Sequence, residues 1–177
     1  MAEKNKTDCL KDVQDKYAKL TSALIEKGLT ISTMESCTSG LIASLITDID
    51  GSSKATKGSF VTYSNDAKKA CGVPEKIMEK YGVYSKETAE AMANACRTHY
   101  NTKIGIGVTG SLGRKDPANA DSRIGEVFYS ISIDGNCSTF FIRVPDSTEE
   151  RADMKVYIVA DILRNLDILL DEEQVKQ

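Results

Sequence analysis

Residues 30–46, TISTMESCTSGLIASLI, constrain the fold more than any other stretch of the chain. Thr30 to Met34 alternate, with Ile31 and Thr33 on one face, and the chain then turns through Glu35, Ser36, Cys37 and Thr38. Beyond Ser39-Gly40, the apolar residues Leu41, Leu45, Ile46 and Ile49 recur at helical spacing. The pattern predicts a strand, a tight turn and a helix start, with Ser36 at the junction. A hydroxyl there can be held clear of the packed layers, beside backbone N–H groups that lack helical partners. Strand–turn–nucleophile–helix arrangements use that geometry for acyl transfer. The plainer reading is that Ser36 or Thr38 only caps the helix.

The remaining elements follow in order along the chain. A first helix is predicted over 7–27, with Leu10, Val13, Tyr17, Leu20 and Leu24 on one stripe and Gly28 as its left-handed stop. KGSFVTYSN (57–65) predicts a second strand running into a helical turn near Asn65 or Asp66, with Asn65 as a cap. Pro74 opens a short helix ended by Gly82, and Ser85 opens another that ends near Tyr100-Asn101. KIGIGVTGSLG predicts a strand whose glycines let a helix or ligand approach one face, and 109–123 reads as a polar loop. GEVFYSISI and TFFIRV form a hairpin about Asp134-Gly135-Asn136, and a last helix runs from Ser147 or Thr148 through Leu170. This order predicts an α/β fold, a three-layer α/β/α sandwich with a mixed central sheet, as a single domain over 1–177.

Composition narrows the chemistry. A net charge of -3 with interspersed signs excludes a basic nucleic-acid face and a polybasic membrane patch. Residues 1–12 carry no signal-peptide core and no apolar run approaches a membrane span, so a soluble, cytoplasmic chain is expected. The five cysteines are scattered without a C-x-x-C pair, which argues against a zinc site and a disulfide framework. With one histidine, His99, a His-centred triad or multi-His metal centre is nearly excluded. A hydrolase built on Ser36 would need lysine, tyrosine or a carboxylate as its base.

Several segments, in the right order, resemble the carboxy-terminal domain of the competence/damage-inducible protein CinA, which also occurs alone as nicotinamide-nucleotide amidohydrolase (NMN deamidase). ESCTSG at 35–40 is close to the family's E-S-C-T-G-G, and DIDGSS at 48–53 to its D-x-P-G-S-S. GSFVTYSNDAKK at 58–69, GVYSKETAEAMA at 82–93, VTG at 108–110 and GEV at 125–127 match further family segments, so the resemblance covers roughly residues 10–170. It implies hydrolysis of the carboxamide of nicotinamide mononucleotide, giving nicotinic acid mononucleotide and ammonia, with no metal and no cofactor. By position, it implies Ser36 as nucleophile, Lys68 as general base and Tyr63 as their partner in the site. The turn residues Cys37, Thr38, Ser39 and Gly40, together with Asn65, Thr109, Gly110, Ser111, Arg151 and Lys155, would hold the substrate. Implied partners are a small-molecule nucleotide and further copies of the chain in a homo-oligomer, with no nucleic acid and no membrane.

The physical logic of a Ser–Lys pair stands beside the resemblance. A lysine can serve as base only if its pKa falls well below about 10.4, which desolvation and the positive end of a helix dipole both favour. An isolated Lys68 would otherwise read as a solvated helix residue, as Lys69 does. Backbone N–H groups and hydroxyls of Thr109-Gly110-Ser111 lie at a strand end, a common place for ligands in open α/β sheets. Arg151 and Lys155, four apart on one helix face, could clamp a phosphate or pair with Glu149 or Glu150. Cys37 reads by default as a small buried residue packing under the turn.

The sequence departs from the family pattern at three places. Ser39 stands where the family has a glycine, and Lys155 where it has an arginine, which binds phosphate bidentately as lysine cannot. The family's glycine-rich loop reads TGSLGRKDPANADSRIGEV, polar and charged with Arg114, Lys115, Asp116 and Arg123. The expected outcomes are an amidohydrolase acting on nicotinamide mononucleotide, with a shifted substrate preference or reduced affinity from the altered loop, or an altered member that serves as a nucleotide-binding or scaffold domain.

Overall fold

The computed structural model describes residues 6–113, 119, 122–148 and 150–175. Its elements are α1 (Lys6–Glu26), β1 (Ile31–Glu35), α2 (Leu41–Thr47), β2 (Thr56–Val61), α3 (Asn65–Ala70), α4 (Glu75–Tyr81), α5 (Lys86–Tyr100), β3 (Ile104–Gly110), β4 (Glu126–Ile133), β5 (Asn136–Arg143) and α6 (Arg151–Val175). The five strands form one sheet in the order β2-β1-β3-β4-β5. β1 pairs in parallel with β2 and β3, while β4 and β5 are antiparallel additions. The fold is the expected three-layer sandwich on a mixed sheet.

Each layer follows from the period of its residues. Every residue of β1 and β3 is buried, as expected for central strands covered on both faces. Ile31, Ile104, Ile106, Val108, Val127, Tyr129 and Ile131 face a core completed by α1, α2 and α6. The α1 stripe is buried only from Val13 onward, where Tyr17 donates a hydrogen bond to the Val159 carbonyl of α6 at 3.0 Å; Leu10 is exposed. The opposite face carries Met34, Val73, Met78, Val83, Met92 and Cys96, against α4 and α5.

The glycines of β3 set how closely α5 lies on that face. A Cβ at Gly105 would sit 2.3 Å from the Ala93 carbonyl oxygen, and one at Gly107 2.3 Å from that of Ala89. The expected close approach is therefore made by a helix. The hairpin turn uses only Asp134 and Gly135, at φ 51° and 94°, the conformation that suits the twist of the flanking strands. Asn136 already belongs to β5. No helix among the described residues is long and apolar enough to cross a membrane.

Candidate active site

At the carboxyl end of β1 the chain leaves the sheet between its two neighbours. Thr62 N–H donates to the Glu35 carbonyl at 2.8 Å, and Ser36 N–H donates to the Val108 carbonyl at 3.1 Å. Ser39 and Gly40 then take left-handed backbone, φ 55° and 91°, and redirect the chain into α2. Ser39 thus occupies a conformation that costs an L-residue about 1–2 kcal/mol.

The cap of α2 differs from either expected hydroxyl. Its N-cap residue, Gly40, has no side chain to contribute. The Glu35 carboxylate, fully buried, accepts hydrogen bonds from the backbone N–H groups of Gly40 (2.9 Å), Ile42 (3.2 Å) and Ala43 (2.9 Å). It also accepts from the hydroxyls of Thr33 (3.0 Å) and Thr38 (2.7 Å). Leu41 N–H donates to the Thr38 carbonyl at 3.2 Å. The N–H groups expected to stand open beside Ser36 at the start of α2 are therefore taken, chiefly by a carboxylate at the end of the preceding strand. Ser36 and Thr38 do not cap the helix, and the Thr38 hydroxyl is turned inward to Glu35.

Ser36 faces a lysine instead. Lys68 Nζ lies 3.2 Å from Ser36 Oγ and donates to the Thr62 carbonyl at 3.0 Å. Both side chains are enclosed: Ser36 is 7% exposed and Lys68 2%. α3, which carries Lys68, is capped by Ser64, whose Oγ accepts from Ala67 N–H at 3.1 Å; the expected cap, Asn65, is one residue too late because it is already helical. Lys68 falls in the last turn of this six-residue helix and not at its start, so burial, and not a helix dipole, is what the fold supplies to it. Lys69 points the other way and pairs with Asp66 at 2.9 Å and Glu75 at 3.0 Å.

Cys37 packs beneath the same turn. Burial pushes its thiol up to about 12; Glu35 adds to the shift, while the charges of Lys68 and Arg151 oppose it. The sulfur is thus a protonated, enclosed group at neutral pH, and the Ser36 hydroxyl is the group of this turn that lies beside Lys68.

A second set of expected residues meets around the rim, held by contacts between distant parts of the chain. Tyr63, 59% exposed, accepts a hydrogen bond from Arg151 Nη2 at 2.6 Å. Arg151 also donates to the Leu112 carbonyl, so its guanidinium joins the segment after β3 to the segment after β2. A Cβ on Gly113 would come within 3.2 Å of that guanidinium. Asn65 Nδ2 donates to Asn119 Oδ1 at 3.1 Å. Lys155 lies further along α6 and is half-buried. Glu149, expected as a salt-bridge partner for Arg151, lies outside the described residues, as do Arg114, Lys115 and Asp116 of the altered loop. Arg123 pairs with Glu126 at 3.8 Å.

Thr109, Gly110 and Ser111 are less open than expected. The Thr109 hydroxyl donates to the Val83 carbonyl at 2.9 Å, and Ser111 N–H donates to the Glu126 carbonyl at 3.2 Å. Gly110 is still in β3, paired with Val127, because the antiparallel neighbour β4 extends the ladder past the end of β1. Among the described residues, no three His, Cys, Asp or Glu side chains are grouped to hold a metal ion.

Two residues of this neighbourhood were not expected to matter. In the sequence Glu35 reads only as the first residue of the turn, whereas it is the last, fully buried residue of β1. Thr62 supplies the carbonyl that Lys68 holds, and its own hydroxyl, fully buried, has no hydrogen-bond partner among the described residues. No side-chain pattern marks a main-chain acceptor in advance.

Comparisons with known proteins place most of the chain in one family. The model of the CinA C-terminal domain matches residues 13–170. A CinA-like protein of Dictyoglomus turgidum is 34% identical over 151 residues, 85% of this chain and 35% of its own length. A CinA-like protein of Prochlorococcus marinus is 36% identical over 152 residues, again 85% of this chain, and 36% of its own length. The chain therefore spans about a third of the curated relatives it matches. Among solved structures, the competence/damage inducible protein CihA from Agrobacterium tumefaciens superposes with a TM-score of 0.81 at 31% identity, covering 89% of this chain and 95% of that one.

Proposed function

The chain belongs to the CinA C-terminal domain family, and on that premise we propose that it is an amidohydrolase that cleaves the carboxamide of nicotinamide mononucleotide. The products are nicotinic acid mononucleotide and ammonia. The observation that carries the reading is the enclosed pair Lys68 Nζ and Ser36 Oγ, 3.2 Å apart. A serine hydroxyl becomes a useful nucleophile only with a base in hydrogen-bond reach, and here the base in reach is a lysine.

The steps follow from the donors and acceptors in place. A neutral lysine amine has two N–H groups and one lone pair. One N–H remains on the Thr62 carbonyl, which leaves the lone pair for the Ser36 proton. Burial favours that neutral form, because it disfavours the charged one. Ser36 Oγ attacks the carboxamide carbon as its proton passes to Lys68 Nζ. Lys68 then returns the proton to the departing nitrogen, the C–N bond breaks, and ammonia leaves an ester on Ser36. A water molecule, deprotonated by Lys68, attacks that ester, and the proton held by Lys68 returns to Ser36 Oγ. The acid product leaves and gives up the second water proton to solvent as it becomes the carboxylate. The hydroxyl of Tyr63 and the guanidinium of Arg151, already joined at the rim, are the groups that meet the nucleotide, with Lys155 beyond them for its phosphate. Exposed Leu10, Tyr157 and Ile168 on α1 and α6 are the surfaces for self-association into a homo-oligomer.

Incubation of the purified protein with nicotinamide mononucleotide tests the assignment. Ammonia and nicotinic acid mononucleotide should form in equal amounts. A well-folded protein that releases neither would remove the assignment.

A further inference from the structure

Glu35 and Ser36 are adjacent in sequence but serve opposite sides of the sheet. The Glu35 side chain lies with Thr33 and the amino end of α2, and Ser36 lies with Lys68. The carboxylate is fully buried, so it does not meet substrate. Yet it gathers three segments. Oε1 takes Thr33 from β1 and Ala43 from the first turn of α2. Oε2 takes Thr38 from the turn and Gly40 and Ile42 from the helix start. The residues between these anchors are Ser36 and Cys37, and the Ser36 carbonyl is in turn held by Ser39 N–H at 3.1 Å.

From this arrangement we infer that Glu35 is the positioning residue of the nucleophile: its carboxylate ties β1, the turn and α2 to one point and so fixes where Ser36 Oγ stands relative to Lys68. The inference rests on the Ser36–Lys68 reading proposed above. A carboxylate is needed for a stated reason. Each oxygen receives at least two donors, whereas a glutamine of the same shape has one acceptor oxygen and an NH2 group. Either orientation of that amide sets an N–H donor against a backbone N–H donor. Displacement of a reacting atom by about 1 Å costs roughly 100-fold in rate, so a modest shift of the turn is amplified in turnover.

Two hydrogen bonds to the same carboxylate separate positioning from mere support. Thr33 reaches it from the strand, and Thr38 from the turn that holds Ser36. The test is the rate at which a fluorophosphonate labels Ser36, measured with turnover of nicotinamide mononucleotide, in Glu35→Gln, Thr38→Val and Thr33→Val at a temperature where circular dichroism shows each folded. Glu35→Gln should slow labelling and lower kcat by roughly tenfold or more, with KM within about threefold. Thr38→Val should fall between it and wild type, and Thr33→Val should stay within about twofold on both readouts. Should Glu35→Gln not fold, the two threonine variants carry the comparison. Labelling of Glu35→Gln at the wild-type rate would overturn the inference, and so would equal losses in Thr33→Val and Thr38→Val. Glu35-dependent labelling without ammonia release would uphold the positioning role and reject the substrate assignment. Wild-type protein that is neither labelled nor active would reject both.

Discussion

Lys68→Met should lower ammonia release by roughly 10³-fold or more while leaving the protein folded with a Tm within about 5 °C of wild type. The two halves of this expectation have separate causes. Methionine matches the length and apolar character of the lysine stem, so packing around α3 is kept. What is lost is the nitrogen 3.2 Å from Ser36 Oγ, and with it the only expected acceptor for the serine proton. The Thr62 carbonyl also loses its donor, which costs about 1–3 kcal/mol, but the burden of burying an ionisable group disappears in the same substitution. The two stability effects oppose each other, and the effect on proton transfer is opposed by nothing. Steady-state ammonia release and thermal melts on the same preparation check both. A variant with near wild-type turnover would assign the base elsewhere. Lys69→Met is the natural control, because that side chain reaches Asp66 and Glu75 and lies away from Ser36.

Gly107→Ala should have the largest effect on stability, a loss of about 3 kcal/mol or more, which for a chain of this size is a fall of about 10 °C in Tm. A Cβ there would sit 2.3 Å from the Ala89 carbonyl oxygen and 2.4 Å from Ala93 N. Both are main-chain atoms of α5, so no side-chain rotation relieves the clash, and the helix itself has to move off the sheet. Activity should fall with stability, because the next residue, Val108, supplies the carbonyl that holds Ser36 N–H at 3.1 Å. Gly28→Ala separates this steric effect from backbone preference. Gly28 has φ 64° but no atom of the described residues within 4 Å of an added Cβ, so alanine should cost only about 1 kcal/mol of strain there. Melts of the two variants check the contrast, and equal losses would contradict the packing argument.

The strand–turn–helix around Ser36 was legible because its signals are local: alternation, then a turn, then helical spacing. The mixed sheet was legible for a related reason, since only the last two strands carry a hairpin signal. The cap of α2 was not. Capping patterns are read from residues one to three positions before a helix, and here the cap is Glu35, six positions before Leu41. It reaches the helix start because left-handed Ser39 and Gly40 fold the turn back over the end of β1. Ser64 displaced Asn65 as the cap of α3 by a single residue, within the ordinary uncertainty of helix ends. The rim was the least legible part. Arg151 and Tyr63 are 88 positions apart, and Asn65 and Asn119 54 apart, so their pairing exists only in the folded sheet. The turn after Val108 was expected to leave groups open, but β4 continues beside β3 beyond the end of β1 and takes their backbone groups, while the Thr109 hydroxyl goes to the Val83 carbonyl.

The measurement that bears most directly on the central claim follows ammonia release and the mass of the Ser36 peptide together, after rapid acid quench of the protein with nicotinamide mononucleotide. Wild type should release ammonia and carry on Ser36 an ester of the nicotinic acid mononucleotide acyl group. Ser36→Ala should show neither, with an unchanged melting profile. Undiminished ammonia release by folded Ser36→Ala, with no adduct on wild type, would contradict the account.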